Sequence, residues 1–164
     1  MSGDALISEG IKDILVESGV GIFQPDAVDT DWVIVISRQR DKPNKMITIM
    51  DTGGFAPEPG LDINYPTIQI IVRGEPDAYV DAHAKCRQIK RFLLGRWSEV
   101  RNGDIWASIV MPNDILPLGY DGNERPEFSM NFNLIVHQGD LVDSRRQDTS
   151  ITHPDIFWDD PVGW

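Results

Sequence analysis

The block of residues 45–95 constrains the fold more than any other part of the chain. It joins an apolar, strand-like segment at 45–50 to Asp-Thr-Gly-Gly, a proline-rich loop and a second strand-like segment at 67–73. A helical pattern follows and ends at Gly95, where a helix stop is expected. A period of about two residues followed by a period of about 3.6 predicts a sheet that is covered by a helix.

The apolar side chains of this block are expected to share one buried face. Ile68, Ile70 and Val72 alternate along the second strand and point to the same side of a sheet. The helix carries an apolar stripe at helical spacing. The stripe consists of Tyr79, Ala82, His83, Cys86, Ile89 and Leu93.

The remaining segments continue the pattern. Residues 4–18 place isoleucine and leucine at helical spacing before Gly19, which predicts a first helix. Residues 31–37 are rich in β-branched and aromatic side chains, and they are predicted to pair with 45–50 as an antiparallel hairpin across a polar turn. Two further strands are predicted at residues 104–111 and 127–137.

The order of these elements, without repeated strand-helix units, indicates an α+β fold. We expect a single mixed, mostly antiparallel sheet with two main helices packed on it, plus an extended C-terminal tail. A chain of 164 residues is long enough for one hydrophobic core. The predicted domain covers residues 1–138, and residues 139–164 are a C-terminal arm. Phe157, Trp158 and Trp164 of this arm are expected either to fray or to anchor on a neighbouring subunit.

The charge balance limits the partners. Fifteen lysines and arginines against 26 acidic residues give a net charge of -11, which argues against tight nucleic-acid binding. Cys86 is the single cysteine, which excludes an internal disulfide. No apolar run approaches the roughly 20 residues that span a bilayer. We expect a soluble protein of a reducing compartment, without a secretion signal and without membrane contact.

The sequence Asp-Thr-Gly at residues 51–53 resembles half of the active site of a dimeric aspartic protease of the retroviral type. Such an enzyme needs two aspartates that share one proton and activate water. Leu-Leu-Gly at residues 93–95 resembles its second element, but these residues end a helical stripe. The alternative is a structural turn, in which Asp51 accepts backbone hydrogen bonds while Gly53 and Gly54 adopt positive φ at a strand edge.

Charged side chains indicate possible subunit contacts. The second helix has a basic side in an otherwise acidic chain, and the glycine-containing loop at residues 114–124 is acidic. Each of these charged surfaces is explained by simple exposure to solvent. The alternative is that the two are complementary patches for contact between identical subunits. The candidate interface residues are Arg87, Arg91 and Arg96 on the basic side and Asp114, Asp121 and Glu124 in the loop.

The sequence offers little support for a metal site. His83 and Cys86 lie one helical turn apart, which metal binding permits, but both belong to the apolar stripe and are expected in the core. The acidic loop lacks the residue spacing of a calcium loop. We therefore expect no metal, no cofactor and no catalytic residue.

Several segments taken together resemble a known protein family. They are Ile-Met-Asp-Thr-Gly-Gly at 49–54, the prolines at 57 and 59, Pro-Thr-Ile-Gln-Ile-Ile-Val-Arg-Gly at 66–74, the helix at 79–94, Gly-Asp-Ile-Trp at 103–106 and the strand at 128–136. In order and spacing, over residues 4–138, they are similar to the tail terminator or minor capsid proteins in the neck of long-tailed bacteriophages. The segment from residue 139 onward departs from that pattern.

The resemblance implies an α+β subunit that closes into a hexameric ring on the completed tail tube and ends its polymerisation. It implies a structural virion protein at the head-tail junction, assembled in the host cytoplasm, and not an enzyme. The implied partners are further copies of the chain, the tail tube protein and the head-side connector protein. Genomic DNA would pass through the ring without tight binding, and an acidic lumen would keep it moving.

Two alternatives stay open. A head-completion or stopper protein of the neck would share the ring symmetry but bind the portal side. A dimeric aspartic protease that uses Asp51 is the alternative from another class. Ring contacts are head to tail, so the basic side of the second helix and the acidic loop are expected to meet across them, with the aromatic arm as a clasp.

Overall fold

The computed structural model describes residues 6–23, 31–96 and 98–138, which form two helices and one curled, mixed sheet of seven strands. The helices are α1 (Ile7–Glu17) and α2 (Tyr79–Leu93). The strands are β1 (Val33–Ile36), β2 (Met46–Glu58), β3 (Ile63–Arg73), β4 (Glu99–Arg101), β5 (Asp104–Val110), β6 (Leu116–Tyr120) and β7 (Pro126–His137). The predicted α+β class is confirmed, and the arm at 139–164 lies outside the described residues.

β7 is the central strand of the sheet. The strand order is β1-β2-β3-β7-β5-β4, and β6 also pairs with β7. On the side away from β3, the first part of β7 pairs with β6 and its last part pairs with β5. The pairings are antiparallel except that between β1 and β2. A short 3-10 turn, Pro59–Leu61, connects β2 to β3.

Both helices pack on one face of the sheet, as the two periodicities predict. The strand residues of this face are almost wholly buried because alternate side chains point to the same side. They include Ile47, Ile49, Ile68, Ile70, Val72, Phe128, Met130, Phe132, Leu134 and Val136. The helices contribute Ile11, Ile14, Leu15, Ala82, Cys86, Ile89 and Leu93. Cys86 is thus a core residue, as its place in the apolar stripe indicates.

The predicted antiparallel hairpin between the first two strands is wrong. β1 and β2 are parallel, with Val33 opposite Met46 and Ile36 opposite Ile49. The segment at residues 37–45 carries the chain back along the sheet before β2 begins. At about 3.3 Å per extended residue this segment is long enough to return past a short strand, so apolar alternation alone does not decide the direction.

The predicted strand end at Asp51 is also wrong. β2 continues to Glu58, and its register against β3 shifts between Asp51 and Gly54. Gly53 and Gly54 have φ of 91° and 133°, so the two glycines form a bulge inside a long strand and not a turn that ends it.

The acidic loop at 114–124 contains a strand that sequence patterns missed. β6 consists of Leu-Pro-Leu-Gly-Tyr, and proline and glycine normally argue against a strand. It forms because it lies at an edge and has a register shift between Pro117 and Gly119. Asp114 therefore lies before β6, while Asp121 and Glu124 follow it.

Candidate assembly surfaces

Asp51 anchors the first turn of α1 to the sheet. One carboxylate oxygen of Asp51 accepts a hydrogen bond of 3.1 Å from the backbone N–H of Ser8, and the other accepts one of 2.6 Å from its hydroxyl. Leu6, at the N-cap, has no side-chain acceptor, so Asp51 supplies from β2 the oxygen that a capping residue normally provides. The negative charge also lies at the positive end of the helix dipole.

We expect Asp51→Ala to lower the free energy of unfolding by about 2 kcal/mol, because a helix cap is lost and a buried hydroxyl loses its partner. Ser8 is fully buried, so its hydroxyl cannot turn to solvent. Urea unfolding measures the loss. Asp51→Asn is the matched control: its amide can accept from the Ser8 N–H and donate to the hydroxyl, so it should lose less than half as much. Equal losses in both variants would contradict the capping role.

This geometry bears on the protease hypothesis. Both carboxylate oxygens of Asp51 are engaged by Ser8, which is 43 residues away in the chain and belongs to α1. The Leu-Leu-Gly segment lies at the end of α2, and Gly95 has a φ of 83° after the last helical turn. The role that the structure supports for Asp51 is that of a helix anchor.

Two buried arginines, Arg73 and Arg125, hold the segment that links β1 to β2. Arg73 is 2% exposed and donates hydrogen bonds to the carbonyl oxygens of Asp41, Pro43 and Asn44, at 3.1, 2.8 and 3.1 Å. Burial, and then the charge of Arg125, lower the pKa of Arg73. The carbonyl dipoles replace the water that a guanidinium loses on burial.

Arg125 joins the same segment to the turn before β7. It is 4% exposed, and its guanidinium lies 2.7 Å from the carboxylate of Asp121. It also donates to the carbonyl oxygen of Asp41 at 2.6 Å, and to the Asn44 side chain at 3.2 Å. Burial would lower the pKa of Arg125, but its hydrogen bonds to Asp121 and Asp41 raise it above the ordinary value. We call Arg73 and Arg125 the arginine pair.

The arginine pair is a structural element that sequence patterns missed. Arg73 ends a strand whose outward face also carries Ile71, and Arg125 precedes a proline in a polar turn. Arginines in such places mostly point into solvent, so the signal in the sequence is weak. Their partners at residues 41–44 become visible only when the chain is folded.

Asp121, a predicted interface residue, is occupied within its own subunit. Burial raises its pKa, but hydrogen bonds from the side chain and backbone of Arg125 and from the backbone of Asn123 outweigh burial and hold the pKa below the ordinary value. Glu124 is exposed, and its backbone carbonyl accepts a hydrogen bond from the N–H of Asp77 at 2.9 Å. These two acidic residues therefore have different environments.

Arg96, on the predicted basic side, belongs to a charge network at the end of α2. It lies 2.8 Å from Glu99, and Glu99 also lies 2.8 Å from Arg101. Arg101 in turn makes two hydrogen bonds of 3.1 Å to the carboxylate of Glu17 on α1. Burial raises the pKa of Glu99, but the hydrogen bonds from Arg101 and Arg96 leave it below the ordinary value. The network ties β4 to both helices.

The predicted pairing of basic helix and acidic loop occurs in part inside one subunit. Lys90 on α2 lies 2.9 Å from Asp114, and this contact lowers the pKa of that exposed carboxyl. Arg87 and Arg91 are exposed and make no ion pair with a described residue. Contact of this surface with a neighbouring subunit stays a prediction, as does the clasp by Phe157, Trp158 and Trp164, which lie outside the described residues.

Stability is expected to fall in acid. Asp121 and Glu99 have lowered pKa values in the folded protein, so the unfolded chain binds more protons than the folded chain. Their contribution is complete above the unfolded pKa values of about 4 and is lost as pH falls through the folded ones. We expect the free energy of unfolding, measured in urea, to decline between about pH 5 and pH 2. The Asp121→Asn variant should have a lower free energy of unfolding than the parent chain at neutral pH, and the difference should shrink in acid. Parallel curves of unfolding free energy against pH for the two proteins would contradict this.

Exposed apolar side chains concentrate around β6. Leu116, Leu118 and Tyr120 are 55%, 49% and 51% exposed. The Tyr120 ring lies 6.4 Å from that of Tyr79, which is 40% exposed at the start of α2, and Val80 is 77% exposed. Contiguous apolar surface of this kind marks sites of protein contact.

Shallow grooves border the helices, and two of them are apolar enough to bear on assembly. One, of about 480 Å³, lies between the end of α2 and the connection from β5 to β6, and Lys90 and Asp114 line it. The other, of about 520 Å³, lies near the end of α1, where Lys85 packs over the ring of Trp32 at 5.4 Å and donates to the carbonyl oxygen of Val20 at 3.0 Å. Neither groove gathers a set of catalytic side chains.

The described residues contain no cluster of three or more histidine, cysteine or acidic side chains arranged to hold a metal ion. Neither described helix has the length and apolar character needed to cross a membrane. The described surfaces of the molecule are thus edges, charged networks and apolar patches.

One known protein family matches most of the chain. The model of the bacteriophage tail terminator proteins matches residues 15–138, from within α1 to the residue after β7. No curated protein matches the chain. The family match covers more than half of the chain and every strand of the sheet, and tail terminators are structural proteins of the phage tail. The chain therefore belongs to the bacteriophage tail terminator protein family.

Proposed function

We propose that this protein forms a closed ring on the end of the completed tail tube, ends its polymerisation and joins it to the head-side connector. The observation that carries the proposal is the family match, because it covers residues 15–138, from within α1 through all seven strands of the sheet. The surfaces described above support a role in assembly, since they comprise apolar edges and charge networks.

The ring has six subunits in this proposal, related by head-to-tail contacts. Such a contact joins one surface of a subunit to a different surface of its neighbour. The ring closes only if the rotation between neighbours is a whole fraction of a full turn. A closed ring that sits on the tube end also covers the surface to which further tube subunits would bind, which explains how it stops a tube from growing. The partners are further copies of the chain, the tail tube protein below and the connector or stopper protein above.

DNA passes through the lumen of the ring in both packaging and ejection. Each subunit carries a net charge of -11, so a lumen lined by acidic residues repels phosphates and prevents DNA from adhering. The protein would then reside at the head-tail junction of the virion, after assembly in the host cytoplasm.

A tube-elongation assay tests this function. Purified tail tube protein is allowed to polymerise with and without the chain, and tube lengths and ends are measured by negative-stain electron microscopy. We expect added chain to stop elongation and to place a ring on one tube end. Light scattering coupled to size exclusion gives the subunit number of free or released rings. An unrelated acidic protein at equal concentration is the control.

Outcomes other than the expected one would point to a different function. Rings that bind isolated connectors but leave tube growth unchanged would overturn the terminator role in favour of a stopper. A compact dimer that is indifferent to tubes would contradict the proposal and direct attention to peptide cleavage, tested with Asp51→Asn as the comparison.

A further inference from the structure

The outer edge of β2 is open over its second half. β1 pairs with β2 only as far as Ile49, whereas β2 continues to Glu58. Among the described strands, none lies beyond β2 at residues 51–58, and all eight of these residues are exposed. Phe55 is 65% exposed in the middle of this stretch. We call residues 51–58 the β2 edge.

A second open edge lies on the other side of the sheet. β6 pairs with β7 on one side, and no described strand pairs with its other side. All five of its residues are exposed, and Leu116, Leu118 and Tyr120 give it a largely apolar character. We call residues 116–120 the β6 edge.

Neither edge carries a lysine or arginine, and the β2 edge has only two acidic side chains, both engaged in hydrogen bonds within the subunit. Exposed edges are usually blunted by charged side chains, lysine above all, because unpaired N–H and C=O groups recruit other strands. The β6 edge has no charged residue. On the β2 edge, Asp51 is engaged by Ser8, and the carboxylate of Glu58 accepts a hydrogen bond of 2.6 Å from Tyr65. Both edges are thus suited to pairing.

The directions of the two edges fit each other. β2, β3, β7 and β6 are successive antiparallel neighbours, so β2 and β6 run in opposite directions on opposite sides of the sheet. A second copy in the same orientation therefore has its β6 edge antiparallel to the β2 edge of the first. The β2 edge lies level with residues 132–137 of β7 and the β6 edge with residues 126–129, so the second copy must also be shifted along the strands for the two edges to meet. Pro57 and Pro117 each lack an N–H, which limits this pairing to a short ladder.

We infer that the subunits of the ring join by pairing the β2 edge of one copy with the β6 edge of the next. This interface rests on the ring of the proposed function and names the surfaces that build it. The contact is head to tail, since the two edges differ, and it repeats around a closed ring. Ring closure covers both edges of every copy at once, whereas a single bound segment such as the C-terminal arm covers only one.

Cysteine cross-linking tests this interface on a clean background. The native Cys86 is fully buried, and burial raises its pKa to about 12, so it does not react at neutral pH. Phe55→Cys and Leu118→Cys place one thiol on each edge at exposed positions. Assembled rings are treated with a flexible bifunctional maleimide, which tolerates differences in register. We expect a ladder of covalent oligomers on denaturing gels for the double variant and monomers for each single variant.

The controls separate this contact from other contacts. Phe55→Cys combined with Val16→Cys, which lies on the exposed side of α1, should give no ladder. Dimers from a single variant would overturn the inference, because they indicate a two-fold contact between identical edges. Efficient linkage of Phe55→Cys to Trp158→Cys, without linkage to Leu118→Cys, would show that the arm covers the β2 edge instead.

The failure of this interface differs from the failure of the proposed function. If light scattering shows rings but the thiols introduced at positions 55 and 118 are not cross-linked, the edge contact is wrong while the proposed ring still stands. If no ring forms alone or on tube ends, the ring has failed and the interface fails with it.

Discussion

Replacing Arg125 with alanine is expected to lower the free energy of unfolding by about 3 kcal/mol, the largest loss that we predict for a polar side chain. Arg125 is 4% exposed, and its guanidinium lies 2.7 Å from Asp121. Its removal leaves that carboxylate without its main partner. It also removes three of the hydrogen bonds that hold the segment at residues 41–44, so this segment loosens at the same time.

Arg87→Ala is the matched control for this variant. It removes the same side chain from an exposed position on α2, where no ion pair with a described residue is lost. Surface changes of this kind usually stay within about 0.5 kcal/mol. Equilibrium urea unfolding of both variants gives the comparison. A loss below about 1 kcal/mol for Arg125→Ala would show that the arginine pair contributes little to stability.

Replacing Gly10 with alanine is expected to destabilise the protein by about 2 kcal/mol, against the usual preference of helices for alanine. A methyl group at Gly10 would lie 2.5 Å from two ring atoms of Trp106 on β5. Trp106 is 2% exposed, so its ring is enclosed by the core and cannot turn out into solvent. Either the indole ring or α1 must shift, and each shift disturbs the packing of a dense core.

Gly122→Ala is the control for the effect of alanine itself, because no atom lies within 4 Å of the added methyl group. We expect its thermal midpoint to stay close to that of the parent chain. The double variant Gly10→Ala with Trp106→Phe separates the clash from other causes. The smaller ring should relieve much of the clash, so the two changes should cost less together than the sum of the single changes. Strict additivity would contradict the proposed contact.

The buried faces of β3 and β7 and of both helices were predictable because apolar periodicity is a local property. Ile68, Ile70 and Val72 alternate in the sequence and are all fully buried in the fold. The charged candidates for the interface were less predictable. Arg96, Asp114 and Asp121 turned out to have partners in their own subunit, and a list of charged residues cannot distinguish those that are paired from those that are free.

The sequence by itself determined the fold class, the two helices, the buried faces of the main strands and the resemblance to the tail terminators. These features depend on neighbouring residues, since side chains point inward or outward with the period of their own element. Only the tertiary structure decided that β1 and β2 are parallel, that β2 passes through Asp51, and that Ser8 and Asp41 are the partners of Asp51 and Arg125. Ser8 is 43 residues from Asp51 and Asp41 is 84 residues from Arg125, and pairings over such distances are set by the packing of the whole chain.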